Sequence, residues 1–158
     1  MVIRQATPED AEAVARVQID SWRSAYAHLF TAEQFGRMSL ERRAQFWRRF
    51  RPLVAEVDRE IAGFVAVGPA HDEDADGELY AIYVRPERWG SGVGRALIEA
   101  AEDRMRELGH STAILWVFED NARARRFYEA AGWKTDGQRR PYEFLGATNP
   151  VVRYAKQL

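Results

Sequence analysis

The sequence predicts an α/β fold, in which a central mixed, mostly antiparallel sheet of about six to seven strands has helices on both faces. Residues 79–118 predict a strand, a crossover helix and a second strand, and such a connection makes the two strands parallel. Apolar runs on either side of this unit are close enough to form hairpins, whose strands are antiparallel. The chain has 158 residues, of which 46% are hydrophobic and 30% charged, which predicts one domain over residues 1–158.

The N-terminal third predicts a short strand and two helices. Val2–Ala6 is the strand. Thr7 and Pro8 begin a helix that continues to about Trp22, because threonine caps a helix and proline suits its first turn. Ser39 begins the second helix. The residues predicted on its buried side are Leu40, Ala44 and Trp47, together with Phe46 or Phe50.

The second helix also carries a group of basic side chains, namely Arg42, Arg43, Arg48, Arg49 and Arg51. Such a patch is a feature of nucleic-acid readers, so an adaptor that binds through this helix is one alternative function. The whole chain has a formal net charge of −1, which gives no general attraction to nucleic acid or to an acidic membrane. We therefore predict a solvated helix face, and neither a nucleic-acid partner nor a membrane partner.

The middle of the chain predicts three strands and a polar loop. Leu53–Val57 and Ile61–Val67 are rich in β-forming residues and are separated by three polar residues, which predicts a hairpin. The loop over residues 71–77 is acidic, and residues 78–84 form the third strand. The acids of the loop are Asp72, Glu73, Asp74 and Asp76. We interpret them as solvated charges in preference to a site for a cationic amine.

The C-terminal part predicts two helices and three strands. The helix that follows residue 92 ends before Gly109, which suits the position after a helix C-terminus. Thr112–Phe118 is a continuous apolar run, as expected of a buried strand with a parallel neighbour. Asp120 or Asn121 caps the next helix, and Gly132 ends it. The last two strands are predicted at Trp133–Thr135 and Val151–Ala155.

Three glycines precede the crossover helix, at Gly90, Gly92 and Gly94. Unpaired N–H groups at a helix start favour a phosphate, and glycine lets the backbone approach it closely. A P-loop requires Lys-Ser or Lys-Thr where this chain has Arg95-Ala96, so that motif is absent. A dinucleotide loop has the spacing G-x-G-x-x-G, whereas this chain has G-x-G-x-G. The sequence thus predicts a phosphate-binding loop of another kind.

The segment from Trp89 to Gly94 resembles the acyl-CoA pyrophosphate loop of the GNAT superfamily of N-acetyltransferases, whose pattern is Gln/Arg-x-x-Gly-x-Gly/Ala. Gly92 and Gly94 match this pattern. Trp89 stands where the pattern has Gln or Arg, and Arg88 lies one position earlier. The resemblance to this superfamily is specific over residues 78–133, where two more segments carry it.

Residues 78–86 resemble the fourth strand of that superfamily, and residues 121–133 resemble its second motif, with an Asn, a Phe-Tyr pair and a Gly followed by an aromatic residue. In such enzymes two adjacent parallel strands splay apart, and the pantetheine arm of CoA lies between them. The resemblance therefore implies acetyl-CoA as co-substrate. The cofactor-binding residues that it implies are Ile82, Tyr83, Val84, Arg88, Trp89, Gly90, Ser91, Gly92, Val93, Gly94, Arg95 and Asn121.

The activity implied by the resemblance is direct transfer of an acetyl group from acetyl-CoA to a primary amine. Tyr128 is predicted as the general acid that protonates the leaving thiolate. Glu78 is predicted as the general base, acting directly or through water. A backbone N–H freed by a β-bulge near Ile82–Val84 is expected to stabilise the oxyanion. A non-catalytic acyl-CoA-binding sensor of the same fold is the alternative.

The acceptor site is predicted to include Trp22, Tyr26 and Phe30 as substrate-contacting residues. Trp22 and Tyr26 are four residues apart and so share one helix face, although an ordinary core stripe explains them equally well. Residues 20–50 and 137–150 contain no recognisable motif, so the acceptor stays unidentified. An antibiotic, a polyamine, an amino acid, a peptide N-terminus and a protein lysine all remain open.

Other expectations rest on residue types. The chain has no cysteine, which excludes disulfides, thiolate metal sites and a cysteine nucleophile, and we expect no metal. No apolar run has transmembrane length, and the first apolar residues meet a charge too early for a signal peptide. We therefore expect a cytoplasmic protein. A homodimer with C2 symmetry is the default expectation for its assembly.

Overall fold

The computed structural model describes all of residues 1–158. Its strands are β1 Val2–Gln5, β2 Leu53–Val57, β3 Glu60–Pro69, β4 Gly77–Val84, β5 Thr112–Phe118, β6 Lys134–Phe144 and β7 Ala147–Gln157. Its α-helices are α1 Ala11–Ala25, α2 Ala32–Gly36, α3 Leu40–Phe50, α4 Val93–Glu107 and α5 Ala122–Ala130. The seven strands form one sheet in the order β1-β2-β3-β4-β5-β7-β6. None of the helices has the length and apolar character needed to cross a membrane.

The only parallel neighbours in the sheet are β4 and β5, as the crossover helix between them predicts. Their pairing is limited to Gly77 with Ala113 and Glu78 with Ile114. Both strands continue beyond these pairs, to Val84 and Phe118 respectively, without further pairing to each other. The sheet therefore opens into a gap between β4 and β5, and the predicted fold class with its splayed parallel pair is confirmed.

A β-bulge in β4 lies at Tyr80, because Ala66 of β3 pairs with Ala81 whereas Val67 pairs with Leu79. The extra residue lets Leu79 and Ile82 face the same side of the sheet although they are three positions apart. The sequence analysis expects a bulge near Ile82–Val84, and the bulge is two residues nearer the start of β4. Beyond the bulge the strand alternates regularly, with Ile82 and Val84 on one side and Tyr83 on the other.

The helices cover the two faces of the sheet. Leu97 and Met105 of α4 are fully buried on one face, where they belong to the same core as Val65 of β3. The adjacent residue Phe64 belongs to a second core, which it shares with Trp47 of α3. Because neighbouring strand residues point to opposite faces, these cores lie on opposite sides of the sheet. A third group, here called the aromatic cluster, consists of Trp22, Tyr26, Phe30, Phe35 and Phe118.

The last two strands are much longer than predicted, with 11 residues each. Leu145 and Gly146 both have positive φ, 53° and 78°, as a tight hairpin turn of type I′ requires. Pro141 is compatible with β6 because β6 is an edge strand, and it lies opposite Pro150. The predicted strands therefore stop short of the proline and the glycine, whereas the hairpin continues through both.

Two helical features differ from prediction. The short helix α2 was not predicted, although Thr31 and Gln34 form a capping box at its start. On α3, Ala44 and Trp47 are buried as predicted, but Phe46 and Phe50 are 50% and 39% exposed, so the predicted burial of one of them is wrong. Their rings instead stack on each other at the surface, with an interplanar angle of 11°.

Candidate active site

A cavity of about 490 Å³ lies where β4 and β5 separate. Trp22 and Tyr26 of the α1 region line it on one face of the sheet, and Phe127 and Tyr128 of α5 line it on the other face. The cavity therefore reaches through the gap in the sheet. Hydrophobic residues make up 18 of the 25 that line it, with a few polar groups among them, which is typical of a small-molecule site.

The start of α4 forms one side of the cavity mouth. Gly90 and Gly92 adopt φ of 76° and 90°, a conformation that is strained for residues with a Cβ. The N–H groups of Gly92, Val93, Gly94 and Arg95 have no acceptor within the chain. These N–H groups and the helix dipole give the loop the character of an anion site. This supports the phosphate-binding loop predicted from the sequence.

Gly94 has a different role from the two other glycines of the loop. Its φ is ordinary, but a Cβ at this position would lie 3.2 Å from Cε2 of Phe127. The missing side chain therefore allows the first turn of α4 to pack closely against α5. This contact sets the width of the cavity between the two helices.

Trp89 has two contacts that explain its place in the loop. Its indole N–H donates a hydrogen bond of 2.8 Å to the carbonyl oxygen of Val84, which also accepts one of 3.0 Å from Ser21 Oγ. The guanidinium carbon of Arg123, on α5, lies 3.4 Å from the centre of the Trp89 ring. Trp89 therefore links the end of β4 to the start of α5 and places a cation beside the loop. We call this region, with Trp89, Gly94 and Arg123, the loop end of the cavity.

The structure brings together most of the predicted site residues. Those that line the cavity are Trp22, Tyr26, Glu78, Ile82, Tyr83, Val84, Trp89, Gly94, Asn121 and Tyr128. Those outside its lining are Phe30, Arg88, Gly90, Ser91, Gly92, Val93 and Arg95. Six of these seven belong to the loop at the cavity mouth, and the side chain of Arg88 is held by Asp58 at 3.2 Å.

Phe30 is a correction to the predicted acceptor wall. It is 5% exposed and packs inside the aromatic cluster, with its ring centre 6.1 Å from that of Trp22 and 5.7 Å from that of Phe35. Phe30 therefore supports Trp22 from behind and has no access to the cavity. The predicted wall is limited to Trp22 and Tyr26.

Tyr128 is 7% exposed, at the point where the cavity crosses the sheet. Burial raises its pKa above the ordinary value of a tyrosine, and Tyr26 is close enough to add a smaller electrostatic effect in the same direction. Its neighbour Phe127 turns toward Gly94. Both aromatic residues line the cavity, and their ring centres are 5.5 Å apart.

Asn121 connects the two faces of the sheet. Its Oδ1 accepts a hydrogen bond of 3.1 Å from the Ala124 N–H and so caps α5, as predicted. Its Nδ2 donates a hydrogen bond of 3.1 Å to the hydroxyl of Tyr26. Burial raises the pKa of Tyr26 to about 12, and the bond from Asn121 partly offsets this effect. Tyr26 therefore keeps its proton at physiological pH.

Glu78 lies at the last paired position of β4 and β5, where it lines the cavity. Its Oε1 accepts a hydrogen bond of 3.1 Å from the His71 backbone N–H. The His71 ring nitrogen Nδ1 lies 3.4 Å from the same oxygen. The Glu78 carboxylate thus borders the cavity in an orientation held by the His71 backbone, with the His71 imidazole beside it.

Several cavity residues were not predicted as functional, namely Ser21, Trp116, Arg123, Arg140 and Tyr142. Trp116 lies on β5, and the apolar sequence of this strand predicted only core residues. Arg140 and Tyr142 lie on β6, in the segment interpreted as a loop. We call the region with Glu78, Trp116, Arg140 and Tyr142 the hairpin end of the cavity.

The acetyltransferase (GNAT) family profile matches residues 13–133, which include the glycine loop, β4, β5 and α5. The chain belongs to the GNAT acetyltransferase family. The family that the sequence analysis identified by resemblance is thereby confirmed.

Relatives of this GNAT protein are named as acetyltransferases. An uncharacterized N-acetyltransferase, YuaI of Bacillus subtilis, is 32% identical over 136 residues, which are 82% of this chain and 78% of the relative. An uncharacterized N-acetyltransferase of Archaeoglobus fulgidus is also 32% identical, over 81% of this chain and 89% of the relative. Mycothiol acetyltransferase of Kocuria rhizophila is 38% identical over 63% of this chain, but the match is 36% of that longer protein.

Solved structures have the same fold. PaiA N-acetyltransferase from Thermoplasma acidophilum, in complex with coenzyme A, gives a TM-score of 0.77 at 23% identity over 99% of this chain and 98% of that one. Ribosomal-protein-alanine N-acetyltransferase from Brucella melitensis gives 0.79 at 23% identity, with 100% of both chains covered. At such identities the likeness concerns the fold.

Proposed function

We propose that this GNAT protein transfers the acetyl group of acetyl-CoA directly to a primary amine. The observation that carries the proposal is the continuity of the cavity. It runs from a loop with unpaired N–H groups, through the gap between β4 and β5, to the carboxylate of Glu78. When bound, acetyl-CoA would supply a thioester as the acetyl donor.

The residues of the loop end fit CoA. The N–H groups of residues 92–95 and the positive end of α4 suit a pyrophosphate, and the guanidinium of Arg123 stands beside them. Beyond Glu78, β4 has no strand partner on its β5 side, so its backbone groups are available to an extended amide-containing arm. Ile82, Tyr83 and Val84 line this part of the cavity, which supports assigning them to the arm.

The attack requires a neutral amine. For a lysine-like amine with a pKa of about 10.4, deprotonation at pH 7 costs about 4.6 kcal/mol. Glu78 is the one carboxylate that lines the cavity, and we assign it the role of accepting this proton, directly or through water. The His71 N–H bond holds Glu78 in a fixed direction for that task.

In the transfer step the amine nitrogen bonds to the thioester carbon, and the carbon–sulfur bond breaks. Tyr128 is assigned as the proton donor to the leaving thiolate. Because burial raises its pKa, Tyr128 stays protonated over the whole physiological range. The same rise makes it a weaker acid relative to a thiol, whose ordinary pKa is about 8.5. Tyr128 therefore gives up its proton only as negative charge develops on the sulfur. Before that point, a hydrogen bond from the Tyr128 hydroxyl to the sulfur stabilises this charge.

The second candidate function is an acyl-CoA sensor that keeps the loop end and lacks turnover. Release of free thiol from acetyl-CoA, measured over a library of primary amines, separates the two. The enzyme gives amine-dependent thiol release, which Tyr128→Phe lowers without weakening acetyl-CoA binding. Tight acetyl-CoA binding without thiol release for any amine would contradict the proposal and favour the sensor.

A further inference from the structure

The charged residues that line the cavity are Glu78, Arg123 and Arg140. Arg123 stacks on Trp89 and thus belongs to the loop end. Arg140 is therefore the cation of the hairpin end, where it shares the cavity with the carboxylate of Glu78. A cavity end with one fixed anion and one fixed cation is suited to a ligand that carries both charges.

Arg140 is held in place by an aromatic face. Its guanidinium carbon lies 3.9 Å from the centre of the Trp116 ring. Its Nη1 has one long contact, 3.5 Å to Oδ1 of Asp72. Since a guanidinium has five N–H donors, stacking fixes its plane and leaves most donors at its edge free. The indole N–H of Trp116 donates to Asp72 at 3.1 Å, which fixes the supporting ring as well.

Asp72 is the one neighbouring acid that pairs with Arg140, and it is shared with a second arginine. The side chain of Arg153 is 9% exposed and forms ion pairs with Asp72 at 3.2 Å, Asp74 at 2.7 Å and Asp136 at 2.6 Å. Asp76 accepts hydrogen bonds from the N–H and the hydroxyl of Ser111. Asp72, Asp74 and Asp76 thus anchor the loop, while Glu73, Asp74 and Asp76 stay exposed to solvent, as the sequence analysis expects of them.

We propose that the acceptor of this protein is a primary amine that also carries a carboxylate, such as an amino acid or a peptide with a free acid group. Its carboxylate binds the free edge of the Arg140 guanidinium, and its amine lies toward Glu78. This inference rests on the proposed function, since it names the substrate class of the same cavity. The Arg140 guanidinium supplies donors only, which a carboxylate satisfies and a second ammonium group does not.

The test compares acceptors in matched pairs at saturating acetyl-CoA, an amino acid with its amide and a dipeptide with its amide. We expect the acid of a pair to have a kcat/KM at least about tenfold above that of its amide, because a charge-assisted bidentate contact is lost in the amide. The amine of the amide compound is less basic, so a larger fraction of it is in the neutral form that attacks the thioester. This difference favours the amide and works against the expected preference for the acid. Equal values, or a preference for amides, would overturn the inference.

Arg140→Gln and Arg139→Gln form a matched pair of variants. Arg139 is the neighbour of Arg140 on β6, but it pairs with Glu119 at 3.0 Å and does not line the cavity. We expect Arg140→Gln to bring the acid-to-amide ratio to about one, and Arg139→Gln to keep the wild-type ratio. An unchanged ratio in Arg140→Gln, or an equal loss in both variants, contradicts the inference.

Failure of the inference and failure of the proposed function give different results. Turnover of amines without a preference for acids removes the inference and leaves the proposed function. If no amine is turned over, the proposed function fails, and calorimetric titration of the same pairs into the CoA-saturated protein still tests the inference. In that titration the acid must bind at least about tenfold more tightly than the amide, and Arg140→Gln must abolish the difference. Equal binding overturns the inference.

Discussion

The glycine loop and its link to β4 are built from neighbouring residues, with Arg123 of α5 added beside them, whereas the hairpin end of the cavity is assembled entirely from distant elements. Trp89 donates to Val84, only five positions away in the sequence. At the hairpin end, Asp72 binds Trp116 from 44 positions away and Arg140 from 68 positions away. Local backbone geometry therefore creates the part proposed to bind phosphate, and the tertiary fold creates the part proposed to select the acceptor. The two ends should consequently respond to substitution in separable ways.

The largest expected effect lies between the two ends, at Tyr128. Tyr128→Phe removes the proposed proton donor and should lower kcat by about 10²–10⁴-fold for every acceptor, with little change in acetyl-CoA affinity. Stopped-flow or steady-state thiol release measures it. Tyr142→Phe is the control, because Tyr142 also lines the cavity but lies on β6 and is 43% exposed. A similar loss in both variants would mean that the effect is not specific to proton donation.

The same residue should govern stability at high pH. A tyrosine whose pKa is raised by burial keeps its proton in the folded state while the unfolded state ionises above about pH 10. Stability is therefore full below pH 10 and is lost as the pH rises, by about 1.4 kcal/mol per pH unit for each such tyrosine. Urea unfolding should show that the free energy of unfolding falls between pH 10 and pH 12 by about 2 kcal/mol less in Tyr128→Phe than in the wild type. Equal pH dependence in wild type and variant would show that Tyr128 is not a buried neutral group.

At the loop end, Gly92→Ala introduces a Cβ at a φ of 90°. The strain is about 1–2 kcal/mol and should weaken acetyl-CoA binding about tenfold, since the loop must shift its N–H groups to relieve it. Gly109→Ala is the matched control, with a φ of 88° at the other end of α4. It should cost similar stability and leave acetyl-CoA affinity unchanged. An equal loss of affinity in both variants would place the phosphate site elsewhere.

The smallest expected effect concerns the contact between Trp89 and Arg123. Trp89→Ala and Arg123→Gln should each raise the Kd for acetyl-CoA by about three- to tenfold, without altering the choice of acceptor. A double-mutant cycle should give a coupling of about 0.5–1 kcal/mol, because the two side chains stack on each other. Additive effects would show that Arg123 does not depend on Trp89 for its position.

The same contrast explains which parts could be predicted from the sequence. The glycine loop, the parallel pair and Tyr128 were found because short motifs specify them within a few residues. Arg140 and Tyr142 were missed because Pro141 between them resembles a strand breaker, and only the edge position of β6 permits it. Trp116 was missed because its role depends on Asp72 and Arg140, which no local pattern connects with β5.

Trp89 illustrates a position that a motif alone misjudges. The family pattern has a polar side chain there, and the sequence offered no reason for an indole. In the folded protein the ring supports Arg123, which comes from α5. A cation is thus present beside the loop, although it is contributed by a different element. Phe30 is the opposite case, because the sequence analysis placed it in the acceptor site. It is close to Trp22 and Tyr26 in the sequence, but it is buried in the core behind them.

The most direct test of the account is to supply acetyl-CoA with a deuterated acetyl group together with the amine library, and to follow both the amines and the intact protein by mass spectrometry. Direct transfer through the gap between β4 and β5 predicts a heavy acetyl group on an amine nitrogen, in a one-to-one ratio to free CoA, and no heavy acetyl group on the protein. Binding of the coenzyme without any labelled amine, or a labelled protein on the route to the product, would contradict it.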